Sequence, residues 1–192
     1  AANVCATTQL SIKMLCGAIC CLPLLLLSVV LVAAEHDFKL KLHKLEKIKE
    51  DERDFESRLD IIKHEDSVKI NGELKQRVTL DNDWKVIITI FHKTKHDEEY
   101  KESQENLHIG VCDFLASIYK RFLYEKLKDY SNAPHPDTCP LPPEHYHLKD
   151  YPFESHKMLK LLRVGHYRII GKLEKDDEVK IEYLLEFEVE YE

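Results

Sequence analysis

The C-terminal segment of the chain alternates between two classes of residue from position 179 to position 191. The odd positions are apolar or aromatic, and the even positions are charged except for Leu184. Successive side chains of a β-strand point to opposite faces, so the pattern predicts one strand with one face in the core and the other in water. A strand of this length tends to bend or coil, which favours a curved antiparallel sheet or a β-cup sandwich.

The stretch after Cys112 carries a helical pattern. Its apolar residues recur at spacings of three and four: Phe114, Leu115, Ile118, Tyr119, Phe122, Leu123, Leu127 and Tyr130. This spacing predicts one long amphipathic helix, from about Asp113 to Tyr130, packed on the sheet. The predicted fold class is therefore mainly β (α+β).

Further strands are indicated by alternation around residues 55–61 and 68–74, with Asn71-Gly72 inside the second pattern. Asn-Gly is typical of a tight turn, but the alternation continues through it, so a bulged strand is equally compatible. Residues 84–91 are apolar on both faces, which predicts a central strand. Residues 164–171 predict another strand, and the charged residues 174–177 a turn.

Residues 14–34 carry no charge and end in Val32-Ala33-Ala34, an acceptable signal-peptidase site. We therefore interpret residues 1–34 as a signal peptide, with residues 1–13 as upstream sequence of no structural role. A membrane anchor is the alternative, because the run is just long enough to cross a bilayer. In residues 35–54, Phe38, Leu40 and Leu42 alternate as in a strand, whereas Phe38, Leu42 and Leu45 follow a helical spacing. We interpret residues 35–54 as a solvated N-terminal extension and residues 55–192 as a single domain. Without the anchor, no stable membrane span is expected.

Removal of residues 1–34 leaves Cys112 and Cys139 as the cysteines of the mature chain. In an oxidising compartment these two most simply form one disulfide, which would close a loop of 27 residues. Two free thiols in a reducing compartment are the alternative. The predicted location is extracellular.

The mature chain is acidic. It holds 27 lysines and arginines against 35 aspartates and glutamates, a net charge of −8. Such a surface disfavours binding to nucleic acid or anionic lipid surfaces through charge, and a hydrophobic or small neutral ligand fits better.

Catalytic and metal-binding patterns are weak. Ser131, His135 and Asp137 lie close in sequence, but triad members seldom come from one short, proline-restricted loop. The chain has no nucleophile elbow and no phosphate-binding loop. We predict no enzymatic activity, no catalytic residue and no cofactor.

Two histidine pairs, His92 with His96 and His145 with His147, have spacings that chelating residues use. No third ligand is placed near either pair, and exposed polar positions explain them better. We predict no metal site.

Several short motifs, taken in order, resemble one family: Val111-Cys112, Ser131-Asn132-Ala133-Pro134, Cys139-Pro140, Tyr146-His147-Leu148 and Gly165-His166-Tyr167-Arg168. This is a domain-of-unknown-function family of small secreted insect proteins that includes the chemosensory B proteins. It is similar to the ML lipid-recognition and ganglioside-activator proteins. The resemblance covers the chain from about Leu59 onward. Where the family has a proline before the Gly-x-Tyr strand, this chain has residues 161–164 without one.

The resemblance implies a secreted, non-enzymatic β-cup whose apolar interior accepts a lipid or a hydrophobic semiochemical, with a chemosensory role as one option. The family supplies no ligand residues that carry over by position. From the strand and helix patterns, the predicted lining is Trp84, Val86, Ile88, Ile90, Leu115, Ile118, Phe122, Ile169, Ile181, Tyr183, Leu185 and Phe187.

The alternative hypothesis is a secreted protein–protein interaction module whose core is filled by the same residues and whose surface binds a cell-surface receptor. An apolar cavity of roughly 300 Å³ or more would favour the binding protein over the filled module.

Overall fold

The chain folds mainly into antiparallel β-strands, as a computed structural model describes it. The structure describes residues 38–63, 67–104, 106–153 and 162–191, and the predicted signal peptide 1–34 lies outside this part of the chain. The strands in chain order are β1 (Phe38–Glu50), β2 (Phe55–Lys63), β3 (Val68–Gln76), β4 (Lys85–Lys93), β5 (Lys101–Glu102), β6 (Leu107–Gly110), β7 (Glu144–Pro152), β8 (Gly165–Lys175) and β9 (Glu178–Tyr191).

The strands form two sheets. The larger sheet has the order β1-β9-β8-β4-β5, with β6 also paired to β4, and the smaller sheet has the order β2-β3-β7. The predicted C-terminal strand is β9, and it joins β8 through a tight turn at Asp176 and Asp177, whose φ angles are 53° and 59°. Positive φ at both central residues is what a two-residue hairpin turn requires.

The segment assigned to an N-terminal extension is largely an edge strand. β1 pairs with β9 from Phe38 opposite Tyr191 to Glu50 opposite Ile181. Its lysines and glutamates suggested a solvated segment, but Leu42 is buried and Leu40 packs in a core cluster. The domain therefore begins before residue 55. Register shifts between Leu42 and Lys44 and between Lys47 and Lys49 mark β-bulges, which bend a long strand.

Asn71-Gly72 lies inside β3 and is not a hairpin turn. The register with β7 shifts between Ile70 and Gly72, and the Asn71 side chain accepts a hydrogen bond from the backbone N–H of Asp150 at 2.6 Å. Of the two alternatives that the sequence left open, the structure selects the bulged strand.

The predicted single long helix is not supported. The helical segment spans residues 111–127 and is α-helical only at its ends, in α1 (Val111–Phe114) and α2 (Tyr124–Leu127); Leu115–Leu123 between them is π-helical. A π-helix bonds each N–H to the carbonyl five residues back, so one turn holds more residues than an α-helical turn.

The side chains of the helical segment differ in burial. The buried positions of the helical segment are Val111, Leu115 and Tyr119, at intervals of four. Ile118 and Phe122, which the α-helical spacing placed on the same face, are only half-buried. None of the helices in the described ranges has the length and apolar character needed to cross a bilayer.

The predicted disulfide is confirmed. Cys112 in α1 is bonded to Cys139, with the two Cα atoms 5.5 Å apart. Two further contacts hold the loop to the helical segment: the Tyr119 hydroxyl donates to the Pro134 carbonyl at 2.7 Å, and Lys120 pairs with Asp137 at 2.8 Å. The loop after the helical segment is therefore fixed at several points.

Two clusters of buried side chains form the core. The first contains Phe55, Leu80, Trp84, Val111, Leu115, Tyr119 and Leu141, and side chains from both sheets pack against it, including Leu74 of β3 and Ile181 of β9. The second contains Tyr167, Phe187 and Val189 and belongs to the larger sheet. The first cluster joins the two sheets to the helical segment.

Candidate functional site

An apolar cavity of about 440 Å³ lies beside the first core cluster. Three parts of the fold surround it: the smaller sheet, the first half of β9, and the helical segment with its following loop. Its lining residues are Ser57, Leu59, Gly72, Glu73, Leu74, Gln76, Leu80, Tyr119, Leu127, Ser131, Ala133, Pro134, Leu141, Tyr146, His147, Leu148, Ile181 and Tyr183. Apolar side chains supply most of this surface, which is typical of sites for hydrophobic small molecules.

Leu59 marks a place where the cavity meets solvent. Its side chain is 38% exposed, one of two large hydrophobic residues in the described ranges that are exposed to this degree. A Cβ on Gly72 would lie 2.5 Å from the Leu59 side chain and 3.2 Å from the Arg58 carbonyl oxygen. The absence of a side chain at position 72 therefore gives Leu59 room to lie across the smaller sheet at this opening.

A polar network borders the cavity on β2 and β9. The Ser57 hydroxyl donates to the Glu50 carboxylate, and the Ser57 and Tyr183 hydroxyl oxygens are 2.5 Å apart. Since a serine hydroxyl has a single proton, Tyr183 is the donor in the second bond. Lys47 donates to Glu50 at 2.7 Å and to the Ser57 carbonyl at 2.8 Å, and the bond with Glu50 raises the pKa of Lys47.

Two tyrosines that line the cavity are held neutral. Burial raises the pKa of Tyr119 to about 12, and burial also raises the pKa of Tyr146. The amide nitrogen of Gln76, another lining residue, donates to the carbonyls of Val78, Leu141 and Pro142. These polar side chains are therefore uncharged or engaged with the backbone, so they suit a neutral apolar occupant.

The predicted lining residues are divided among several environments. Ile181 and Tyr183 line the apolar cavity. Val86 and Leu115 pack in the first core cluster, and Ile90, Ile169, Leu185 and Phe187 belong to or pack against the second. Ile88, Ile118 and Phe122 are half-buried outside these groups.

Trp84 belongs to the first core cluster but does not line the apolar cavity. It is buried just before β4, its ring meets Phe55 edge-to-face at 5.7 Å, and it borders a second, largely charged depression. The Lys175 ammonium lies 5.2 Å from its ring centroid.

Sequence reasoning placed the lining on the larger sheet and missed the contribution of the smaller one. The missed apolar residues include Leu59, Leu74, Leu127, Ala133 and Leu148. The alternation in β2, β3 and β7 carried the signal for half-buried strands. Nothing in that alternation indicated which sheet would leave space beside the helical segment.

The residues considered for a nucleophilic site have other contacts. The Ser131 hydroxyl donates to the Leu127 carbonyl at 2.6 Å and accepts from the Ala133 N–H at 3.1 Å. His135 lies 3.6 Å from Asp137, which also pairs with Lys120. The Ser131 contacts resemble a helix C-terminal turn, and its proton is directed at the backbone.

One histidine of each predicted pair has contacts of its own. His92 contacts the Val164 carbonyl at 3.3 Å and packs on Tyr167, with the ring centroids 4.6 Å apart. His145 is exposed, 3.7 Å from Glu73.

Residues 86–169 match the family described as "Protein of unknown function (DUF1091)". The match supports a relation to an uncharacterised domain family. It begins in β4, includes the helical segment, both disulfide cysteines and β7, and ends in β8. The DUF1091 match thus contains Tyr119, Leu127 and Tyr146 from the cavity lining, whereas β2, β3 and β9 lie outside it. No curated protein matches the sequence.

Proposed function

We propose that the protein is a secreted binding protein that holds a lipid or another hydrophobic small molecule in the cavity between the smaller sheet, β9 and the helical segment. Binding would be driven by transfer of apolar surface out of water, worth about 0.8 kcal/mol for each buried methylene, and would require no reacting group. We propose that it has no catalytic activity of its own.

The cavity is the single observation that carries this proposal. Its volume of about 440 Å³ lies within the range of small-molecule sites, and its walls come from apolar side chains of separate elements. A protein–protein interaction module with a filled core would contain no cavity of this size. The cavity therefore supports the binding protein over the interaction module.

Two weaker observations are compatible with the proposal. The Cys112–Cys139 disulfide suits an oxidising, extracellular compartment. The DUF1091 match falls on the region where the sequence resembles the chemosensory B proteins, which are similar to the ML lipid-recognition proteins. We propose on this basis a curved β-cup, and a chemosensory role as the biological setting.

The test is a titration of delipidated protein with a fluorescent fatty-acid probe. Two variants form a matched pair: Leu59→Gln, which places an amide in the cavity lining, and Ile48→Gln, which makes the same kind of change at an isoleucine that is 50% exposed on β1, outside the lining. Loss of the apolar contact between Leu59 and the ligand should weaken binding of the probe about tenfold in Leu59→Gln. Ile48→Gln should bind like the wild type.

Competition then defines the ligand class. Unlabelled fatty acids, long-chain alcohols and esters should displace the probe, and short polar analogues should not. A delipidated wild type that binds no probe, or two variants that bind it equally well, would remove the support for a ligand in this cavity.

A further inference from the structure

Glu188 occupies an unexpected position. As an even-numbered residue of β9 it was predicted to face water, yet it is only 7% exposed. β9 lies between β1 and β8, and a histidine from each neighbour covers the carboxylate: His43 from β1 and His166 from β8. A buried carboxylate requires partners, and the two imidazoles are among those of Glu188.

The distances that join the Glu188 carboxylate to the two imidazoles are longer than those of most hydrogen bonds. His43 Nε2 lies 3.4 Å from Glu188 Oε2, and His166 Nε2 lies 3.6 Å from Glu188 Oε1. N–H···O bonds are usually about 2.7–3.2 Å long. A tetrahedron around a zinc ion, with ligand atoms about 2.1 Å from the metal, has edges of about 3.4 Å. Both measured distances are close to that edge, and they end on the two different oxygens of the carboxylate.

The backbone of β1 places the His43 side chain beside the Glu188 carboxylate. The β1/β9 register shifts between Leu42 and Lys44, so that His43 is the extra residue of a β-bulge. Such bulges commonly redirect a side chain. His166 is the direct register partner of Glu188 in the β8/β9 ladder. Three adjacent strands therefore supply one donor each.

These donors form the one group of three or more histidine, cysteine or acidic residues, within the described ranges, whose ligand atoms all lie within 4.8 Å of one another. Glu190 is next along this face of β9 and pairs with Lys95 at 3.6 Å. Glu190 also shares a side-chain hydrogen bond with Glu188, and the charge of Lys95 favours the Glu188 carboxylate.

We propose that His43, His166 and Glu188 bind one divalent zinc ion. Two imidazole nitrogens and one carboxylate oxygen are donors that zinc accepts, and three protein ligands leave the fourth position for water or an external ligand. The sequence predicted no metal site because residues 43, 166 and 188 share no short motif. The ion would join the edge strand β1 to β8 across β9, and would lie on the sheet face opposite Ile181 and Tyr183 of the apolar cavity.

The test begins with protein stripped of metal by a chelator, dialysed, and titrated calorimetrically with zinc chloride. We expect one zinc ion per chain in the wild type, and a melting temperature that rises with zinc concentration because the ion binds the folded state. His43→Asn and His166→Asn should each weaken zinc binding by about tenfold or more and abolish the rise in melting temperature.

Matched controls use histidines outside the site. The double variant His145→Asn/His147→Asn should bind zinc like the wild type, and so should Leu59→Gln, whose change lies in the cavity. Glu188→Gln keeps the shape of the buried side chain, and circular dichroism checks that it folds. If it does not fold, the wild type loaded with Co²⁺ provides the readout, because a four-coordinate site gives an intense visible absorption.

The proposal would be overturned if the wild type binds no zinc, or if both His43→Asn and His166→Asn bind it as the wild type does. Loss of zinc binding in the His145→Asn/His147→Asn variant would also overturn it. A weak, six-coordinate Co²⁺ spectrum would do the same. None of these outcomes bears on binding of the fatty-acid probe, so the two proposals fail independently.

Discussion

Tyr119 links three parts of the structure through one side chain. Its ring is buried in the first core cluster, its hydroxyl holds the loop at Pro134, and it lines the cavity. Burial raises its pKa to about 12, because the phenolate would be poorly solvated there. The residue is therefore suited to remain neutral and hydrogen-bonded across the physiological pH range.

Replacement of Tyr119 by phenylalanine should have an effect that depends on pH. At neutral pH the lost hydrogen bond should lower the free energy of unfolding by about 1 kcal/mol. The folded-state pKa is raised, so the neutral tyrosine contributes stability that is complete below about pH 10 and is lost as the pH rises toward 12. Urea unfolding at a series of alkaline pH values should show that the difference in free energy of unfolding between wild type and Tyr119→Phe becomes smaller as the pH rises. A difference in free energy of unfolding that stays constant with pH would contradict this account of Tyr119.

Single residues show where the sequence pattern was sufficient and where it was not. The alternation in β9 correctly indicated that Phe187 and Val189 are buried. It could not indicate that Glu188 is also buried, because that depends on side chains that β1 and β8 bring across the strand. Trp84 was predicted inside a central strand and lies one residue before β4.

At the scale of elements, the helical segment and its loop form one disulfide-closed unit. Cys112 begins this unit and Cys139 ends it, and between them lie Tyr119, Leu127 and Pro134 of the cavity lining. The position of that part of the lining therefore depends on the closed loop.

Removal of the disulfide in a Cys112→Ala/Cys139→Ala double variant should destabilise the fold. Closing a loop over a sequence separation of 27 removes chain entropy from the unfolded state, worth about 3.5 kcal/mol. Urea denaturation under non-reducing conditions measures this loss, and wild type treated with dithiothreitol should lose a similar amount. A double variant as stable as the oxidised wild type would contradict the role given to this bond.

The elements differ in how well their sequences predicted them. Most strands were predicted because a period of two is set by local backbone geometry. The helical pattern was also recognised. A spacing of three and four could not distinguish a continuous α-helix from the observed helical segment, residues 111–127, which has a π-helical centre. The pattern of β1 fitted a strand or a helix, and a solvated extension was preferred because the segment carries so many charges.

At the scale of the whole molecule, the cavity depends on how the two sheets meet. The mainly β architecture and the disulfide followed from the sequence. The division into sheets of different size did not, because strand order depends on pairings between residues far apart in the chain, such as β1 with β9. The predicted lining was therefore placed on the larger sheet, whereas the smaller sheet forms much of the cavity wall.

Native mass spectrometry of the protein purified from a secreting host measures most directly whether the cavity holds a ligand. We predict a mass above that of the polypeptide, which is lost on delipidation and restored by adding a long-chain fatty acid or alcohol in one-to-one ratio. Adding the ligand should restore the higher mass less completely in Leu59→Gln than in Ile48→Gln. A protein that has the bare polypeptide mass before delipidation, and keeps it in the presence of excess hydrophobic ligand, would contradict the account.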